Sequence, residues 1–338
     1  MNSKKHNHVR FESIAVIGAG AWGTALAQAA ALAGRRVRLW GRDASVLQDI
    51  KARRENTRYL PGTHLHSGIE VESELSSSLR CQLALLVIPA QALRQVCLSL
   101  CADIGTDVPI VICAKGIEQG TQKFVTEVAA DILPDNPVAI LSGPSFAGDV
   151  VQGLPTAVTV AAQDNQLAID IGEALATQTF RLYHSQDVRG VEIGGAAKNV
   201  LAIACGIAEG SRLGASAKAA LIARGFAELR RFAAAFGAQD ETLMGLSGLG
   251  DLVLTCSSAQ SRNFRFGIAL GQGTHPDSSA GKLVEGVFTA NVLDSMARDA
   301  GIEMPIVAAV NAVLQGKLDV GAAISGLMMR PQKSETGA

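Results

Sequence analysis

The stretch "IAVIGAGAWGTALA", Ile14 to Ala27, decides the fold. It sets Gly18, Gly20 and Gly23 inside an apolar run about as long as a membrane span, so a cofactor turn, a bilayer helix and a signal peptide all compete for it. Lys4, Lys5 and Arg10 before it, and the alanine-rich "AQAAALAG" at its end, imitate a signal peptide. Against that, Glu12 abuts the apolar run, glycines interrupt it, and the strand-like "RRVRLWGR" follows Gly34 where a mature N-terminus would begin. Thr24 and Gln28 lie inside it and no second apolar span appears, which argues against a membrane helix. What remains is a turn between a strand and a helix. Gly18 permits the tight bend, Gly20 lets backbone approach a pyrophosphate, and Gly23 lets the helix pack on the strand. The diphosphate then rests on the helix N-terminus, where free N–H groups and the dipole favour an anion.

The rest of the chain fits a cytosolic enzyme better than a nucleic-acid or membrane binder. Its 338 residues are 48% hydrophobic but only 4% aromatic, the mixture that closely packed helices and parallel strands use. Thirty basic and 31 acidic residues leave a net charge of -1. With no long block of one sign, there is no field to draw nucleic acid or anionic lipid. Cys81, Cys97, Cys101, Cys113, Cys205 and Cys256 form no C-x-x-C pair, and the histidines do not cluster, so neither a metal site nor a disulfide framework is signalled.

From Ser13 to about Tyr183, short β-branched runs alternate with helical patterns, which implies a parallel sheet covered on both faces. Expected strands are Ile14 to Ile17, Val37 to Trp40, Leu83 to Ile88, Ile110 to Cys113, Val138 to Leu141, Ala157 to Val160 and Phe180 to Leu182. Beyond Tyr183 strand signals stop: Asp187 is placed to cap a helix through Ala208, and further helical patterns follow to Met328. "LSGLGDLVLTCSSAQSRN" and "GQGTHPDSSAG" read as loops. The expected organisation is α/β: a tail over 1–12, a Rossmann-like doubly wound domain over 13–185, an all-helical substrate and dimerisation domain over 186–330, and a disordered end over 331–338.

Four places carry candidate chemistry. At the end of the second strand, Gly41-Arg42 stands where an acid would bind ribose hydroxyls. A guanidinium there suits the 2′-phosphate of NADPH, with NADH as the alternative cofactor and an ordinary exposed arginine as the bland reading. Lys198 follows Gly194-Gly195 on one helical face, and two helical glycines cost about 1 kcal/mol each relative to alanine. That cleared face is expected to receive a nicotinamide ring or small substrate beneath a proton-transferring amine; a snorkelling surface lysine is the competing reading. Lys115 in "CAKGIE" and Ser142 and Ser145 in "LSGPSFAG" stand at strand ends, where open α/β sheets bind ligands. Asp251 lies in a glycine-flanked turn, and Ser261-Arg262-Asn263 opens a helix, which makes a phosphate receptor or simply a cap and a solvated charge.

Taken together, "GAGAWGTALA", "NTRYLPG", "CAKGIE", "LSGPSFA", "GLPTAV", "GGAAKNVLAI", "GLGDLVLTC" and "SRNFRFG" resemble the bacterial-type NAD(P)-dependent glycerol-3-phosphate dehydrogenases, from Ile14 to about Pro305. The resemblance implies dihydroxyacetone phosphate and glycerol 3-phosphate as substrate pair, a cytoplasmic role in supplying the phospholipid backbone, and a homodimer. By position it implies Lys198 as general acid/base. It implies substrate contacts from Lys115, Gly143, Ser145, Asp251, Ser261, Arg262 and Asn263. Besides Gly18, Gly20 and Gly23, cofactor contacts would come from Ala21, Trp22, Arg42, Lys115, Ala147, Arg262, Leu283 and Glu285. Ala21 departs from the family, which often has Ser or Asn there.

Overall fold

The computed structural model describes residues 10–274 and 284–329, and the chain divides into two compact units. The first comprises Met1–Gly195 and Ala238–Asp251, the second Ala196–Gly237 and Leu252–Ala338. The division therefore falls inside a helix at Gly195, and the chain returns to the first unit once, where the sequence suggests a single crossing near residue 185.

The first unit holds eight strands: β1 (Ser13–Ile17), β2 (Arg36–Trp40), β3 (Ile69–Glu72), β4 (Leu83–Leu86), β5 (Ile110–Ile112), β6 (Val138–Ser142), β7 (Thr156–Ala162) and β8 (Phe180–Ser185). They form one sheet in the order β3-β2-β1-β4-β5-β6-β7-β8. Alternate residues feed opposite faces. Ile14, Val16, Leu83, Leu85 and Leu141 join one core cluster; Ala15, Ile17, Ala84, Leu86 and Ile140 join the other. Burial on both sides is why these strands read as continuous apolar runs. The covering helices are α1 (Ala21–Leu32), α2 (Ala44–Arg53), α3 (Leu75–Ser78), α4 (Leu93–Leu100), α5 (Val125–Ile132), α6 (Ala147–Val151) and α7 (Asn165–Leu175).

Three expectations are corrected here. The sheet is not wholly parallel: β7 runs antiparallel to β6. The only helix between them, α6, has five residues and spans about 7.5 Å, too short to carry the chain back along the sheet. β3, "IEVE", is an added edge strand. The N-terminal tail ends before residue 12, because Phe11 is 3% exposed in the core and the Glu12 amide donates to Gln82 Oε1. The rest of the expected N-terminal tail, 1–9, and all of the expected C-terminal one, 331–338, lie outside the described residues.

The remaining helices are α8 (Val188–Gly210), α9 (Ala215–Ala235), α10 (Asp240–Met244), α11 (Asp251–Ser257), α12 (Arg262–Gly271), α13 (Glu285–Asp299), α14 (Pro305–Leu314) and α15 (Val320–Met328). A π-helical turn over Leu246–Gly250 leads into α11, so much of the stretch expected as a loop is helical. Among the described residues α8 alone is long and apolar enough to cross a membrane, and its most apolar window is wholly buried in the protein. In the second unit Gly206 of α8 faces Gly267 of α12, their Cα-to-added-Cβ distance being 2.9 Å, so the two backbones touch without side chains between them. Glu228 of α9, 2% exposed, accepts the Ile306 and Val307 amides and caps α14 behind Pro305.

α8 starts as the sequence suggests, with Asp187 Oδ1 accepting from the Gly190 amide at 2.8 Å. One turn on, Glu192 is 2% exposed and accepts from the Thr126 amide of α5 at 2.8 Å. Burial pushes its carboxyl up to about 7 from an ordinary 4.5. The folded state then binds the proton more tightly than the unfolded state, so stability falls as pH rises from 4.5 through 7. Glu192→Gln is expected to remove that slope. Urea unfolding at pH 5 and pH 8 should show the variant gaining on wild type by about 2–3 kcal/mol at the higher pH; equal gains at both would contradict the assignment.

Candidate active site

The glycine turn is built as its spacing suggests. Gly18 has φ 127°, donates to the Trp40 carbonyl at 2.7 Å, and has no room for a Cβ, which would lie 2.1 Å from the Val87 carbonyl oxygen. A Cβ on Gly23 would lie 1.7 Å from the Gly18 oxygen. Gly20, the N-cap of α1, is different: nothing lies within 4 Å of its would-be Cβ. Ala21 and Trp22 open α1, and the Trp22 indole Nε1 is buried with no hydrogen-bond partner. Ala147 opens α6, which packs on α1. Arg42 is exposed just beyond β2. Open space over Gly20, the free first-turn amides of α1 and an unpaired buried donor fit a dinucleotide diphosphate.

At the neighbouring strand ends of the first unit, Lys115 follows β5 and its Nζ donates to Asp251 Oδ2 at 2.7 Å and to the Gly143 carbonyl at 3.1 Å. The Asp251 side chain is 1% exposed and that of Lys115 16%. Ser145 Oγ donates to the same Gly143 carbonyl at 3.2 Å. Lys115, Gly143, Ser145 and Asp251 are therefore brought together, with the lysine clamped between a carboxylate and a carbonyl. Asp251 opens a helix instead of sitting in a turn.

The reading of Gly194-Gly195 as a berth for a flat ring is overturned. A Cβ on Gly194 would lie 2.5 Å from the Ser247 carbonyl oxygen; one on Gly195 would lie 2.7 Å from Ser142 Oγ and 3.4 Å from Lys115 Cγ. The missing side chains make way for the π turn at Ser247 and for the Ser142 hydroxyl. The stem of Lys115 passes Gly195 at ordinary contact distance, and Ser142 Oγ is left buried without a hydrogen-bond partner.

In the second unit Lys198 is 6% exposed, so the surface-lysine alternative fails. Its Nζ donates to Thr255 Oγ1 of α11 at 2.9 Å. Asn199 Oδ1 accepts from Asn263 Nδ2 at 2.9 Å, and Asn263 Oδ1 accepts from the Gly286 amide at 3.0 Å, so this amide fastens α12 to α8 and α13. Ser261 Oγ accepts from the Phe264 amide at 3.2 Å and caps α12. Arg262 is exposed in the first turn of α12, and Glu285 is half-buried in the first turn of α13. Leu283 lies outside the described residues. Thr255 and Asn199 escape the sequence reading; the helical offset of four between Asp251 and Thr255 would signal the first, had the segment not been read as a loop. Among the described residues no three His, Cys, Asp or Glu side chains gather to hold a metal ion.

Family models describe the two halves in turn. Residues 13–168 match the N-terminus of NAD-dependent glycerol-3-phosphate dehydrogenase and residues 187–325 match its C-terminus. A glycerol-3-phosphate dehydrogenase [NAD(P)+] of Azorhizobium caulinodans is 58% identical over 96% of this chain and 99% of its own. One from Rhodopseudomonas palustris is 58% identical over 96% and 98%. The crystal structure of glycerol-3-phosphate dehydrogenase from Coxiella burnetii superposes with a TM-score of 0.90 at 40% identity, covering 94% of this chain and 99% of that one. With both halves matched in order and near-complete coverage, the chain belongs to the NAD-dependent glycerol-3-phosphate dehydrogenase family and is an oxidoreductase acting on a CH–OH group.

Proposed function

We propose that this protein reduces dihydroxyacetone phosphate to sn-glycerol 3-phosphate, reversibly and with NADPH as the preferred cofactor. The observation that carries the reading is Lys198: an ammonium 6% exposed and held by a threonine hydroxyl, in a chain whose relatives are named for this reaction. Gly18, Gly20, Gly23, Ala21, Trp22, Arg42, Ala147, Leu283 and Glu285 are assigned to the cofactor, which supplies the hydride when bound. Lys198 holds a proton for the oxygen at C2 of the ketone, and gives it up as negative charge grows there. Lys115, held by Asp251 and the Gly143 carbonyl, adds a fixed positive charge and orients the substrate with Ser145.

Arg262, exposed on the first turn of α12 beside the capping Ser261, takes the phosphate, where guanidinium and helix dipole act together. Asn263 supports this by holding the helix end, and its second Nδ2 hydrogen is assigned to the substrate. The same reading includes work in the cytoplasm as a homodimer, feeding phospholipid synthesis, with the helical half carrying substrate and pairing residues.

The test follows NADPH absorbance at 340 nm with and without dihydroxyacetone phosphate. Oxidation that requires this substrate, and fails with glyceraldehyde 3-phosphate or an unphosphorylated ketone, is expected. Turnover of unphosphorylated 2-keto acids instead would replace the proposal with a hydroxy-acid reductase, and binding without turnover on any of them would leave only a nucleotide sensor.

A further inference from the structure

The segment 54–68 joins α2 to β3 without regular structure, yet it is fastened along its length. Asn56, 1% exposed, donates from Nδ2 to the Ala19 carbonyl at 3.0 Å and to Thr24 Oγ1 at 2.8 Å, so it is tied to the glycine turn itself. Thr57 Oγ1 donates to Asp49 Oδ2 at 2.5 Å, and the His66 amide to Gln28 Oε1 of α1 at 2.8 Å. Long loops without structure are uncommon in compact domains and commonly functional. This one holds Arg58, two residues past Asn56, at a fixed place beside the turn.

Arg58 reaches the end of β2. Its Nη1 lies 2.5 Å from Asp43 Oδ2, and its guanidinium stands 5.4 Å from the Tyr59 ring centre. Asp43 is the carboxylate that follows Arg42 beyond that strand, and both its oxygens are engaged. Oδ1 accepts from the Ser45 amide at 3.0 Å, the Ser45 hydroxyl at 2.6 Å and the Val46 amide at 3.4 Å, capping α2; Oδ2 faces Arg58. The Ser45 hydroxyl, with those amides and Arg58, holds the Asp43 carboxyl below its usual range. The acid next after the position that binds ribose hydroxyls in NAD-selective sites is thus spent on the helix cap, with Arg42 before it in the chain and Arg58 paired to it.

Resting on the NADPH reading above, we infer that Arg58 is a specificity-determining residue, the second arm with Arg42 of a receptor for the 2′-phosphate of the cofactor. Its side chain is 59% exposed, so a phosphate dianion has access to it and competes with Asp43 for the guanidinium. Asp43 keeps its place through Ser45 and the helix amides when Arg58 turns to the phosphate.

Calorimetric titration of the full chain with 2′,5′-ADP and with 5′-AMP tests this. Wild type is expected to bind 2′,5′-ADP more tightly. Arg58→Ala is expected to lose about 10-fold or more for 2′,5′-ADP and under about 2-fold for 5′-AMP, since a charge-assisted contact is worth at least that ratio; R58K should fall between. Equal losses for both ligands, or none, would overturn the role of Arg58 alone. Equal affinity of wild type for the two ligands would overturn the NADPH preference beneath it, and the inference with it.

Discussion

Lys198→Met is expected to lower kcat with dihydroxyacetone phosphate by about 10² to 10⁴-fold, the range that one positioned proton donor contributes. NADPH affinity, read from quenching of protein fluorescence, should stay within about 2-fold of wild type, because the assigned cofactor residues lie elsewhere. Methionine suits the test. It matches the length of the lysine stem, fills the same buried space and leaves no ammonium to desolvate, so the fold has no reason to suffer. Thr255 is left with one fewer partner, and Thr255→Val probes the complementary case. Losing the hydroxyl that holds Lys198 Nζ at 2.9 Å should lower kcat far less than losing the amine.

The second large effect separates two glycines of one motif. Gly23→Ala drives a methyl to 1.7 Å from the Gly18 carbonyl oxygen, so α1 must shift off β1; a loss of several kcal/mol and of NADPH binding together is expected. Gly20→Ala meets nothing within 4 Å, and Gly20 has φ -75°, which any residue adopts. Its melting temperature should stay close to wild type while NADPH affinity falls by about 10-fold or more, because the methyl enters the space a diphosphate needs. Thermal melts with and without NADPH check both. A Gly20→Ala protein that binds NADPH normally would show that the space over Gly20 is not where the diphosphate rests.

The contrast shows what was legible in the sequence. The glycine turn was, because much of what it demands is local: a positive φ at Gly18, the Gly18 carbonyl against Gly23, an open helix N-terminus at Gly20. The strand positions were also legible where both faces are buried, as in "IAVI" and "LALL". Strand direction was not: the reversal of β7 depends on how short α6 turns out to be. Nor was the purpose of Gly194-Gly195, since the atoms that need the space belong to Ser247 and Ser142, far away in sequence. Glycines in "SGLGDLVLTC" suggested a loop by propensity, and packing of a π turn against Gly194 overrode it. Asn263 was legible as polar and near a helix start, but its task of fastening three helices lies in contacts with Asn199 and Gly286.

The central claim is that the Lys198 amine carries the proton. Rescue of Lys198→Ala by small amines tests it most directly: truncation leaves space for methylammonium or ethylammonium where the stem and Nζ were. Dihydroxyacetone phosphate reduction is expected to rise with added amine and saturate, while wild type does not respond. A residual rate that stays flat across a series of amines, in a folded variant that still binds NADPH, would contradict it.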